Sequence, residues 1–88
     1  MNIMDKEEFL KIYNKFLTQS ASNQDAKKLI ENYCIKMGKD SKESAIFAKH
    51  LIEMGIPINY NKMLDYFAKE FNIIEIYNQQ NQLIKILN

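Results

Sequence analysis

Residues 73–87 of this chain can fold back and pair with themselves, and little else about the sequence constrains its fold as tightly. A turn centred at Gln80 sets Ile73 against Leu87, Ile74 against Ile86, Glu75 against Lys85, Ile76 against Ile84 and Tyr77 against Leu83. Apolar residues meet apolar residues, and the one acid meets the one base. Such opposed side chains are the unit that stabilises an antiparallel sheet. The loop would be Gln79-Gln80-Asn81, and three-residue hairpin loops place their last residue in the left-handed region, which Asn tolerates. A continued helix through Ile73, Tyr77, Leu83, Ile84 and Leu87 is the competing pattern. The abundance of Ile favours strands, and the amide run Asn78–Gln82 is a poor helix centre. A C-terminal hairpin is therefore expected.

Everything upstream has helical spacing. Asp5 and Glu8 form a capping pattern for a first helix, with Met4 placed to staple onto Phe9. Phe9, Leu10, Tyr13, Phe16 and Leu17 make its apolar stripe, and the polar run 18–23 ends it. A second helix should start near Ser22 or Asn23, with Asp25 in its positive first turn. Its stripe is Ala26, Leu29, Ile30, Tyr33 and Met37, and Gly38 suits the position just past its end. Asp40 and Glu43 open a third helix. Its expected inner side is Phe47, Ala48, Leu51, Ile52 and Met54, with His50 outside and Gly55 as the stop. Ile56-Pro57-Ile58 cannot continue it, because Pro disfavours helical geometry in the preceding residue; these residues could form a third strand instead. A fourth helix begins at Asn59 or Asn61 with the stripe Tyr60, Leu64, Phe67 and Phe71. The expected class is mainly α with a C-terminal β-hairpin: four helices plus a wing, within a single domain over residues 1–88.

Size and charge narrow the function. A chain of 88 residues buries only roughly 60–65% of its unfolded surface and is marginal alone, so a homodimer is expected. The first helix is the candidate seam, since it is amphipathic and well capped. Net charge is +1, and all 12 basic residues are Lys. Without Arg there is no planar fork for bidentate contact with guanine or phosphate. Abundant Lys, Asn and Ile fit an AT-rich genome. The single cysteine, Cys34, excludes an intramolecular disulfide and suits a reducing compartment. No apolar run reaches the roughly 18 residues that span a bilayer, and no charged-then-apolar leader opens the chain. A cytoplasmic protein without a membrane partner is expected.

Enzymatic chemistry finds little to use. His50 is the only histidine, so multi-His metal sites are absent. Cys34 lies beside an apolar stripe, as an inert thiol does. Gly38 and Gly55 cannot make a phosphate-cradling loop, and Glu7-Glu8 sits where the first helix dipole welcomes acids. No cofactor, metal or small-molecule substrate is implied.

Residues 40–87, as a helix, short turn, second helix and hairpin, resemble the winged helix-turn-helix superfamily of DNA-binding proteins. The resemblance rests on pattern, without a family signature. It implies a double-stranded DNA partner, with the fourth helix entering the major groove and the wing touching backbone or minor groove. The base-facing candidates are then Asn59, Asn61, Lys62, Asp65, Tyr66 and Lys69. Asn can pair with adenine, and Lys can reach guanine as a point donor. The wing candidates are Asn78, Gln79, Gln80, Asn81 and Gln82, whose amides suit an A·T-rich minor groove. Lys39, Ser41 and Lys42 sit at the start of the third helix, a position from which phosphate is held, with Lys36 nearby. Two features depart from the family pattern. Asp65 and Glu70 place acids on the fourth helix, and no strand precedes the helix pair. Binding mainly through the wing is the alternative docking mode. The implied role is transcriptional regulation, or accessory binding in plasmid or phage replication or transfer. The rival class is a plasmid- or phage-encoded inhibitor or adaptor that binds protein, with Tyr13, Tyr66 and Tyr77 as anchors.

Overall fold

The computed structural model describes residues 3–77, 80 and 82–87. Four helices, α1 (Lys6–Leu17), α2 (Asn23–Lys36), α3 (Ser41–Glu53) and α4 (Tyr60–Glu70), are followed by an antiparallel hairpin of β1 (Glu75–Tyr77) and β2 (Leu83–Ile86). The architecture is mainly α with a C-terminal hairpin, consistent with helices plus a wing. Residues 56–58 form no strand, and the described sheet contains β1 and β2 alone.

The helix starts follow the sequence signals. The Asp5 side chain caps α1 by accepting from the Glu8 N–H at 2.8 Å. Ser22 and Asp25 form a reciprocal capping box on α2. Asp40 caps α3, and Asn59 caps α4. The helix ends share one device. The residue after each C-cap has a left-handed backbone: Gln19 (φ 57°), Gly38 (φ 96°), Gly55 (φ 67°) and Asn72 (φ 55°). The next N–H reaches back to a carbonyl in the last turn, as Ser20 to Lys15, Lys39 to Cys34, Ile56 to Leu51 and Ile73 to Ala68, at 2.8–3.2 Å. These are Schellman closures, which satisfy the orphan carbonyls of a helix end. The two glycines and Asn adopt this geometry readily, whereas Gln19 carries the Cβ penalty of about 1 kcal/mol.

The main core gathers Phe9, Ile12 and Tyr13 of α1, Leu29 of α2, Leu64, Phe67 and Ala68 of α4, and Ile73 and Ile76 of the C-terminal segment. Phe9 lies at its centre, with ring centroids 5.6 Å from Tyr13, 5.8 Å from Phe67 and 5.6 Å from Phe71. Met4 is buried beside it, and the Met4 N–H donates to Asn32 Oδ1 at 2.9 Å. Asn32 in turn donates to the Lys28 carbonyl, so this buried amide is satisfied at both ends. Glu8 and Lys28 pair between α1 and α2. Much of the apolar face of α1 is thus occupied within the chain, while Leu17 stays 37% exposed.

A second cluster joins Ile30 and Cys34 of α2 to Ala48 of α3, with Leu51, Ile52, Ile58, Tyr60 and Met63 against it. Here the expected inner side of α3 is corrected. The fully buried residues are Ser44 and Ala48, whereas Phe47 and Met54 are 40% and 64% exposed. Small residues one turn apart let α3 lie close along α2, and that approach rotates the bulkier side chains outward. His50 is exposed, as expected.

The hairpin register also differs from the straight pairing. Tyr77 opposes Leu83 as expected, but Ile76 opposes Lys85 and Glu75 opposes Ile86, with the register slipping between Ile76 and Tyr77. Ile84 is the extra residue of a β-bulge, which changes the phase of its strand. Leu83 faces outward with Tyr77, while Lys85 lies opposite the fully buried Ile76 and remains exposed. The slip seats Leu87 against the core, and its N–H donates to the Ile74 carbonyl.

Three predictions follow from this packing. Gln19→Gly is expected to stabilise the fold by about 1 kcal/mol by relieving the left-handed Cβ, measurable by urea titration. Removing residues 1–18 is expected to unfold the chain, because Phe9 and Tyr13 leave with it, seen as lost far-UV circular dichroism; a folded monomer would contradict this. Burial works to raise the Asp25 carboxyl, but hydrogen bonds from the Ser22 N–H and hydroxyl, with Lys15 at 3.3 Å, outweigh it and hold the group below its usual 3.8. A depressed folded value stabilises above the unfolded pKa and is lost as pH falls through the folded one. The melting temperature should therefore drop below pH 4 by more in the wild type than in Asp25→Asn.

Candidate nucleic-acid interface

The solvent-facing side of α4 carries Asn61, Lys62, Asp65 and Lys69, all exposed. Asn61, Asp65 and Lys69 fall on one line at four-residue spacing, and Lys62 lies beside them. Asn59 is committed locally, since its Oδ1 accepts from the Lys62 N–H at 3.4 Å. The first turn of α4 holds no acid, in contrast to α1, α2 and α3.

Tyr66 is placed differently from a base-reading side chain. It is half-buried, with its ring edge-on to Tyr33 at 5.5 Å and to Phe67 at 5.2 Å. Its hydroxyl donates to Glu70 at 2.8 Å, and that bond raises the phenol above its ordinary value. The ring braces α4 against α2 and engages one of the two acids on the helix. Tyr13 is buried in the core, while Tyr77 is 48% exposed and donates to Glu75.

The start of α3 already holds an anion. The N–H groups of Lys42 and Glu43 donate to Asp40 Oδ2 at 3.1 and 3.2 Å, so the helix end that would receive a phosphate carries a carboxylate. Ser41 is half-buried and Lys42 exposed. The Lys39 ammonium lies 4.8 Å over the Phe47 ring. Lys36, Lys39 and Lys42 flank the α2–α3 turn, apart from α4 in sequence. Of the wing candidates, Gln80 and Gln82 are exposed; Asn78, Gln79 and Asn81 lie outside the described residues.

Sequence inspection passed over Lys85, because straight pairing joins it to Glu75. In the structure its ammonium lies 5.5 Å over the Tyr13 ring. It borders two open grooves along α4. One, of about 290 Å³, runs past Asp65, Lys69 and Leu87. The other, of about 280 Å³, runs past Tyr13, Asn59 and Asn61. No glycine marks the bulge, so no local signal in the sequence reveals the turn of Lys85 toward α4.

Outside this surface, burial raises the Cys34 thiol, opposed by the Lys39 charge, which leaves it a poor nucleophile at neutral pH. Among the described residues no group of three His, Cys, Asp or Glu is placed to hold a metal ion, and no helix is long and apolar enough to cross a membrane. Compared with known proteins, the chain matches no family model, no curated protein and no solved structure.

Proposed function

We propose that this chain is a small, non-catalytic DNA-binding protein of winged helix-turn-helix type that binds a short duplex site as a homodimer in the cytoplasm. It would serve as a transcriptional regulator or as an accessory factor in plasmid or phage replication or transfer; both roles use the same surface. The observation that carries this proposal is the exposed Asn61, Lys62 and Lys69 of α4, with Asn61 and Lys69 bordering grooves that Lys85 of the antiparallel hairpin also lines. In this mechanism α4 enters the major groove, where Asn61 pairs with an adenine edge. Lys62 and Lys69 meet phosphates or guanine, and the amides at the hairpin tip follow the minor groove. Lys39 and Lys42 reach backbone beyond the Asp40 cap. Asp65 opposes phosphate on the same face, so affinity is modest and its salt dependence shallow.

A second reading is supported by a different surface. Tyr77, Leu83, Ile84 and Ile86 leave 41–58% of their surfaces exposed on the hairpin, and exposed apolar patches mark protein contacts. An adaptor or inhibitor would use that face. Salt separates the two readings, since phosphate binding weakens as salt rises and an apolar interface does not.

The experiment is a titration of purified protein against labelled duplex fragments from its own locus at two salt concentrations. Saturable, salt-sensitive binding to a subset of fragments is expected. The double variant Asn61→Ala, Lys62→Ala should lose sequence preference, with about 1–3 kcal/mol lost at the base pair read by Asn61, while its melting curve stays intact. Unchanged affinity in that variant removes α4 from the interface, and no binding at low salt removes the DNA proposal.

A further inference from the structure

We propose that Lys85 is a phosphate-binding residue, contributed by β2 to the α4 surface and directed at a phosphodiester of the nucleic-acid backbone; this rests on the DNA-binding proposal above. Straight pairing would have given Lys85 to Glu75, leaving the hairpin internally neutral. The bulge at Ile84 dissolves that pair, because Glu75 opposes Ile86 and accepts from the Tyr77 hydroxyl instead. Lys85 is released to the opposite face of the hairpin.

There its ammonium lies 5.5 Å over the Tyr13 ring, while the side chain stays exposed. A ring face holds a cation in place by its quadrupole while adding no neutralising charge. Among the described residues Lys85 forms no ion pair, so its charge faces the two grooves. Those grooves connect it to Asn61 toward the start of α4 and to Lys69 toward its end. A backbone running along α4 would pass Lys85 beside the residues proposed to read bases. Lys85 also changes the balance on this surface, where Lys62 and Lys69 are set against Asp65. Across the whole of α4, with Glu70 counted, two lysines balance two acids, and Lys85 tips helix and strand together to net positive. The ligand fitted by this arrangement is a phosphodiester, because an ammonium is a point donor without the fork that selects a base edge.

The test compares the full-length wild type with Lys85→Met and Lys85→Arg, titrated with the duplex fragment it prefers across a series of salt concentrations. Lys85→Met removes the charge and keeps a long unbranched side chain. It is expected to lower the salt slope by about 1 and to weaken all sequences alike, and Lys85→Arg should behave as the wild type. A wild-type slope in Lys85→Met overturns the proposal. A second measurement needs no variant: acetylation of wild-type lysines followed by mass spectrometry. Protection of Lys85 by the duplex is expected, and equal labelling with and without the duplex overturns the assignment. Absence of wild-type binding at low salt is a different failure, since it defeats the DNA proposal itself and this inference with it.

Discussion

The rest of the structure depends on the burial of Phe9. Its ring meets Tyr13 on its own helix and both Phe67 and Phe71 on the far end of α4. That contact joins the start of the chain to the segment that leads into the hairpin. Losing such a ring from a core costs about 3–5 kcal/mol, against a total stability of about 5–15 kcal/mol for a small domain. The hairpin has no independent means of support, because two strands alone are marginal in water. It is held by Ile76 and Leu87 resting on the core that Phe9 organises. The same burial commits Phe9, Ile12 and Tyr13 of α1 to the core of the chain.

Local chemistry was the part of the fold most legible in the sequence. Asp5, Ser22, Asp40 and Asn59 were readable as caps because capping depends only on neighbours three residues away. Gly38 and Gly55 were readable as stops for the same reason. Gln19 and Asn72 end α1 and α4 by the same closure, yet neither residue type announces a left-handed backbone strongly enough to be noticed. The face of α3 was misjudged because counting apolar residues favours the bulky ones. Ser44 and Ala48 are inside because small side chains permit close helix approach, a property of two helices together that no single stripe records.

The proposed DNA surface was legible to a similar degree. The outer side of α4 could be named because Leu64 and Phe67 fix its inner side. The packing of Tyr66 was not legible, since it depends on Tyr33, a residue 33 positions away. Asp40 was identified as a cap, but the consequence that it occupies the anion position of α3 emerges only with its hydrogen bonds. Lys85 was hidden by the apparent quality of its pairing with Glu75. A register argument weighs opposed side chains one pair at a time, whereas the observed register is set by which residue of β2 the core can seat. Leu87 is seated there, and Ile86 is left outside.

The bulge at Ile84 divides the hairpin into two mechanically separate parts. Below it, the burial of Ile76 and the placement of Lys85 and Leu87 fix the strand in one phase. Above it, Tyr77 and Leu83 pair in a register of their own, because the unpaired residue absorbs the mismatch. A tip altered in length or sequence would therefore not rotate the base beneath it. Such a hairpin is a tolerant place for natural variation, since the segment farthest from the core can diversify while Lys85 keeps its station opposite Ile76.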